Sequence, residues 1–278
     1  MTLFNRRQIL GSATVSAAGL IGLTAKAADP LLFAVNEGVT YRNNPLEIQE
    51  RFQPITDDLS RLLKAPVKVV PVARYDELVK GLADQRYAIA YVHPAHHAIR
   101  AMVSNGYRLA ALTKGFTEYR TSIFVAKGAT AKSLADLKGK KIGAPDEDSI
   151  TSVILKATLR DAGLESDVQV SYVRFQDAVP FMVEHGLVTA GATASNAVLK
   201  DWKEKGGSVI ATSKPVPIKH LLVSAKAPAG TLEKVTDYFT GLEQARDGKS
   251  RIEAMRVQGF LPFDEAPVKA IGKWLGVA

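Results

Sequence analysis

The sequence predicts an α/β protein of two lobes, each a mostly parallel sheet flanked by helices, with the chain crossing between them twice. Short apolar runs alternate with amphipathic segments from Leu31 onward, as βα units require. Two extended stretches, near Tyr119 to Phe124 and near Pro215 to Leu221, separate one set of units from the other and bring the chain back to the first. Of the 278 residues, about 251 remain once a leader is removed, enough for two ordinary domains with a core each.

The elements follow in order. Leu31-Leu-Phe-Ala-Val35 reads as a buried strand. Ile48, Phe52, Ile55, Leu59 and Leu62 recur at spacings of 4, 3, 4 and 3, a helical core stripe interrupted only by Pro54. Val67 to Val72 is a strand, followed by a helix through Leu78, Val79 and Leu82. Tyr87 to Val92 is a strand, Pro94 opens a helix where a missing N–H costs nothing, and Leu109 to Leu112 is a further strand.

The second set begins with β-rich Thr121 to Ala126. Ser133 and Asp136 make a capping-box-like start to a short helix ending at Gly139. Ile142 lies on a strand, Ser149 to Ala162 is a helix with Gly163 as its stop, and Val168 to Val173 is a strand. A helix over Asp177 to Glu184, a strand over Leu187 to Ala192, a helix over Asn196 to Lys205 and a strand over Val209 to Thr212 complete it. Leu221 to Val223 is a strand after the return crossing, and Thr231 to Ala278 is mostly helical. The expected boundaries are 28–117 with 218–278 for one lobe and 118–217 for the other.

Residues 1–27 read as a signal peptide: Arg6-Arg7 as a basic n-region, an apolar stretch from Ile9 to Thr24, and Ala25-Lys-Ala27 as a small-x-small cleavage site. The apolar stretch is 16 residues, short for a hydrocarbon core of roughly 30 Å. Asn5-Arg-Arg-Gln-Ile-Leu10 resembles a twin-arginine (Tat) signal, with Asn5 in place of the usual Ser or Thr. Export to the periplasm is therefore expected.

The chain has no cysteine, which excludes a disulfide framework, thiol nucleophiles and thiolate metal sites. Its net charge of +8 falls to about +5 without Arg6, Arg7 and Lys26, and the basic residues are spread, so no nucleic-acid partner is expected. No Gly-x-Ser-x-Gly, His-Glu-x-x-His, Walker or Gly-x-Gly-x-x-Gly motif is present, so an enzyme is not expected and no cofactor is implied. In such a fold, strand C-terminal ends and helix N-termini face each other across a cleft, where free N–H groups and helix dipoles favour anions.

Several stretches resemble the phosphate/phosphonate-type solute-binding proteins of bacterial ABC importers. They are Tyr87-Ala-Ile-Ala-Tyr-Val-His-Pro94, Tyr119-Arg-Thr-Ser-Ile-Phe-Val125 and Ser133-Leu-Ala-Asp-Leu-Lys-Gly-Lys-Lys-Ile142. Gln176-Asp-Ala178, Ala190-Gly-Ala-Thr193 and Ser213-Lys-Pro-Val-Pro217 follow in the family's order. The resemblance spans the whole mature chain. It implies a two-lobe, periplasmic-binding-protein-like (type II) receptor, a monomer that captures a small anionic or polar solute by hinge closure. Its implied partners are that solute and a membrane permease, or a membrane sensor. A metal-binding receptor is the alternative reading of the cleft.

Departures from the family pattern fall on ligand positions. Its anion loop corresponds to Ser149, Thr151 and Ser152. These hydroxyls and the free N–H groups suit an oxyanion, but Asp146, Glu147 and Asp148 precede them, and plain N-capping explains the same residues. The family's His-Asp pair is Gln176-Asp177 here, and two family acids correspond to Ser195 and Lys219, which argues against an aminoalkyl phosphonate. His93, His96 and His97 lie within five residues at a strand end and helix start. Three readings fit them: solute contact, with His97 at the position of a family tyrosine; a metal site; and a capping or surface role. Tyr41, Tyr119 and Arg120 are further candidates for ligand contact, with interlobe packing as the alternative. Trp202 and Trp274 are expected to pack.

Overall fold

The computed structural model describes residues 29–38 and 44–277; the signal-peptide reading and Tyr41 lie outside them. Strand β1 (Leu31–Glu37) leads to helix α1 (Pro45–Leu63), which Asn44 caps by accepting from the Leu46 N–H at 3.0 Å. α1 runs unbroken through Pro54 and buries Ile48, Phe52, Ile55 and Leu59. Four such side chains each contribute about 2 kcal/mol of burial, which outweighs one lost helical bond. Next come β2 (Val67–Pro71), α2 (Tyr75–Ala83), β3 (Ile89–His93), α3 (Ala95–Ser104) and β4 (Tyr107–Thr113).

The second set is β5 (Ser122–Val125), β6 (Lys141–Ala144), α4 (Ile150–Asp161), β7 (Gln169–Tyr172), α5 (Val179–Glu184), β8 (Ala190–Thr193), α6 (Asn196–Glu204) and β9 (Ser208–Thr212). The chain returns through β10 (His220–Ser224), α7 (Thr231–Thr240), α8 (Gly248–Ala254), β11 (Phe260–Leu261) and α9 (Glu265–Leu275).

Two sheets result, ordered β11-β4-β10-β3-β1-β2 and β7-β6-β8-β5-β9. Both are mixed. β1 is parallel to β2 and β3, and β6 to β7 and β8, the βα cores that alternation anticipates. The strands at the crossings run the other way: β10 is antiparallel to β3 and β4, and β5 to β8 and β9. β11 corrects the mostly helical expectation for the C-terminal segment; it pairs antiparallel with β4 at the sheet edge. The strand expected from Leu187 starts instead at Ala190, because Leu187 is exposed and its N–H closes the turn after α5 on Met182. The expected helix over Asp177 to Glu184 opens as a 3₁₀ turn at Gln176–Ala178, and that over Ser133 to Gly139 is a 3₁₀ turn at Ala135–Leu137.

The two crossings pair with each other. Tyr119 and Val216 exchange backbone hydrogen bonds of 3.2 and 2.9 Å, and the Ser213 N–H donates to the Thr121 carbonyl at 2.9 Å. α4 contacts both sets of elements. Leu155 and Leu159 pack under the second sheet, whereas Ile150, Ile154 and Ala157 pack with Ala98, Met102, Val268 and Leu275 from the first. Trp202 is buried, donating to the Val125 carbonyl at 2.8 Å. Trp274, on α9, donates to Asp161 on α4 at 2.9 Å, so it packs and also bridges the sets.

Candidate functional site

A cavity of about 690 Å³ at the strand ends is lined by Arg74, Tyr75 and Asp76 on one side and by Asp146 to Asp148, Tyr172 and Arg174 on the other. Behind Tyr75 lie the end of β3 and the start of α3. His93, His96 and His97 are all buried there. The His96 and His97 ring centroids are 4.1 Å apart, Tyr75 stands 5.0 Å from His97, and Tyr119 stands 6.4 Å from His93. Nδ1 of His93 and both ring nitrogens of His96 and His97 are buried with no hydrogen-bond partner among the described residues.

These imidazoles are held neutral. Burial pushes His93 down to about 3, with the Lys219 and His220 charges adding to the effect. Burial and then Arg100 push His97 down to about 4. His96 is driven well below its usual value by burial, then by repulsion from His97 and Arg100. The N-terminal end of α3 also disfavours an imidazolium. Gly38 allows the packing: its φ is +92°, and a Cβ there would stand 2.6 Å from the His93 ring.

Behind Asp146 to Asp148 lies the start of α4. Ser149 caps the helix by accepting from the Ser152 N–H at 3.2 Å, and its hydroxyl donates to Ser152 Oγ at 3.2 Å. Ser152 Oγ donates to the Pro145 carbonyl at 2.9 Å. Thr151 Oγ1 and the Tyr119 hydroxyl share a 2.8 Å bond, and the Thr151 carbonyl accepts from Thr121 Oγ1 at 3.1 Å. Gln176, also buried, accepts from Thr193 Oγ1 at 3.2 Å and from the Ala194 N–H at 3.1 Å. The preceding acids line the cavity: Asp146 accepts from the Asp148 N–H at 2.9 Å, and Glu147 pairs with Lys156 at 2.7 Å.

The other candidates are elsewhere. Asp177 is exposed. Arg120 is exposed and ties the crossings together, donating to the Ser213 carbonyl at 3.0 Å. Ser195 caps α6, accepting from the Val198 N–H at 3.3 Å, and with Arg120 lines a separate cavity of about 590 Å³. Lys219 lies beside the crossings with its ammonium 3.8 Å from the Phe116 ring centroid.

Sequence reasoning missed His220, on β10 opposite Val92, fully buried with no hydrogen-bond partner for either ring nitrogen among the described residues and pushed down to about 4 by burial. It also missed Glu37 and Arg51, an ion pair of 2.7 Å with both side chains largely buried. Arg51 was findable: it falls three residues after Ile48 and four before Ile55, inside the buried stripe of α1. Among the described residues no group of three His, Asp or Glu side chains is placed to hold a metal ion, and no helix is long and apolar enough to cross a membrane.

Two α/β sheets joined by paired crossing strands, with a polar cleft at the strand ends, make the two-lobe, periplasmic-binding-protein-like (type II) fold. A family model described as the phosphonate periplasmic substrate-binding protein of ABC transporters matches residues 38–267. The chain belongs to this family, whose members are periplasmic, non-enzymatic transporter components that bind small solutes and work with a membrane permease.

Among solved structures, the fold is similar to XAC2383 from Xanthomonas citri bound to chloride (14% identity, 88% of this chain and 97% of that one, TM-score 0.74). It is similar to PhnD1 from Prochlorococcus marinus in complex with methylphosphonate (16%, 88% and 96%, TM-score 0.66). A binding protein component of a phosphonate ABC transporter from Pseudomonas aeruginosa is also similar (16%, 89% and 86%, TM-score 0.61).

Proposed function

We propose that this protein captures a small oxyanion of the phosphonate or phosphate type between the imidazoles of α3 and the N-terminus of α4, and presents it to the permease of an ABC importer. The observation that carries the reading is the buried set of unpartnered ring nitrogens on His93, His96 and His97. A neutral imidazole donates one N–H and so accepts an anion without bringing a counter-charge. Ser149, Thr151 and Ser152, held by their own bonds, present the positive end of the α4 dipole from the other side. The relative from Prochlorococcus marinus carries methylphosphonate on the same fold, which supports the ligand class.

Capture works by hinge closure about the Tyr119–Val216 pairing, with lobes of 28–117 plus 218–278 and of 118–217. Tyr119 is the coupling residue, since it sits in the hinge and bonds Thr151 at the head of α4. Export as a monomer to the periplasm by the twin-arginine route completes the reading.

The test is a thermal-shift and calorimetric screen of the mature protein against phosphate, methylphosphonate, alkyl sulfonates, carboxylates and divalent metals. A ligand at 100 times its Kd stabilises the fold by about 2.7 kcal/mol. Methylphosphonate or phosphate is expected to shift the melt, and His96→Phe/His97→Phe to remove that shift. A flat response to every oxyanion, or a shift with metals alone, overturns the proposal.

A further inference from the structure

Beside the crossings, a pocket of about 250 Å³ opens on the α1 side of the first sheet, lined among others by Glu37, Arg51, Phe116, Lys219 and Arg256. Among the described residues, three cations therefore face one carboxylate. Two are already engaged: Arg51 with Glu37 at 2.7 Å, and the exposed Arg256 with Glu47.

Lys219 is different. Its ammonium makes no hydrogen bond or ion pair among the described residues and lies against the Phe116 ring face, 3.8 Å from the centroid. Nε of Arg51 is buried there without a hydrogen-bond partner among the described residues. Burial, set against the nearby Glu37 carboxylate, lowers the Lys219 pKa to about 8, so at neutral pH the group is still mostly charged while part-desolvated. A cation in that position gains from an incoming anion.

The pocket is not isolated from the cleft. His93 and Tyr119 line it, and the Tyr119 hydroxyl bonds Thr151 at the head of α4, 2.8 Å away. One molecule with acidic groups at both ends would reach α4 with one and the Lys219 pocket with the other.

We propose that Lys219, with Nε of Arg51, forms a second anion subsite, and that the solute is a doubly acidic molecule: an oxyanion head joined by a short chain to a carboxylate. The inference rests on the oxyanion reading for its first subsite. The positive excess and the small volume commit the second group to a compact anion rather than an ammonium or an apolar tail.

The experiment is isothermal titration of the mature protein with methylphosphonate, phosphonoacetate, 3-phosphonopropionate and 2-aminoethylphosphonate, with glutarate as a head-free control. A charge-assisted hydrogen bond corresponds to about a 10-fold to 100-fold gain in affinity. The better of the two carboxylated phosphonates is expected to bind at least about 10-fold tighter than methylphosphonate, and the aminoethyl compound weaker than either. Lys219→Gln is expected to erase that advantage while leaving the Kd for methylphosphonate within about twofold, and Lys219→Arg to retain most of it. Melting curves of both variants confirm folding.

Equal affinity for methylphosphonate and the carboxylated compounds, or an advantage that survives Lys219→Gln, overturns the second subsite and leaves the oxyanion reading standing. Glutarate binding that depends on Lys219, with no phosphonate bound, overturns the oxyanion head and with it the doubly acidic solute. Failure of all five compounds to bind overturns both.

Discussion

At the start of α4, the hydroxyls of Ser149, Thr151 and Ser152 are all engaged, with one another, with the Pro145 carbonyl and with Tyr119 across the hinge. At the start of α3, the ring nitrogens of His96 and His97 have no hydrogen-bond partner among the described residues. Both walls are polar and buried, yet one is complete and the other is not. A complete wall is rigid before any ligand arrives, so its dipole acts at no cost in reorganisation. An incomplete wall bears the desolvation cost of every unpartnered nitrogen. A ligand relieves that cost and acid adds to it, and the difference between the walls is open to direct test.

Acid gives the largest expected effect. The imidazoles titrate in the folded protein below the unfolded value of 6.5, His97 at about 4. Between those values the unfolded chain binds more protons, so stability is full above pH 6.5 and is lost as pH falls toward 4. For His97 alone the loss is on the order of 3 kcal/mol. Urea unfolding at pH 7.5 and pH 4.5 measures it, and His97→Phe is expected to reduce the dependence by its own share, with His93, His96 and His220 supplying the rest. An unchanged slope in that variant would mean that His97 is not held neutral.

Ser152→Ala comes next. It leaves the buried Pro145 carbonyl without its side-chain donor, at an expected cost of about 1–2 kcal/mol in chemical denaturation. Thr151→Val keeps the shape but removes the bond to Tyr119, and about 1 kcal/mol is expected to go with it. The smallest effect on stability belongs to the other wall. His96→Phe at pH 7.5 is expected to change the unfolding free energy by less than about 1 kcal/mol, because it deletes nitrogens that have no partner. The same variant should lose oxyanion affinity in calorimetry. A large destabilisation by His96→Phe alongside a silent Ser152→Ala would reverse the comparison.

Much of the architecture was legible because it rests on local periodicity. The α1 stripe, the βα alternation and the Ser149 cap follow from side-chain spacing and short-range hydrogen bonding. β11 was not legible: Phe260-Leu261 is two residues long and owes its conformation to β4, far away in the chain. The site divided in the same way. The His93-Pro-Ala-His-His97 cluster and the α4 hydroxyls stood out as local groups. His220 did not, because only the antiparallel register of β10 against β3 sets it opposite Val92 and near His93. Asp177 and Ser195 match the family's ligand positions in order, yet one is exposed and the other caps a helix.

The sequence by itself determined the alternation of elements, their caps and the residue types at the two helix starts, since each depends on neighbours within a turn or a strand. Tertiary structure decided the direction of the crossing strands, the pairing of Tyr119 with Val216, and which polar groups end with partners and which without. It also decided that Lys219 and Arg51, 168 residues apart, line one pocket. Those are properties of chain segments brought together by folding, and hydrogen-bond satisfaction exists only once both partners are in place.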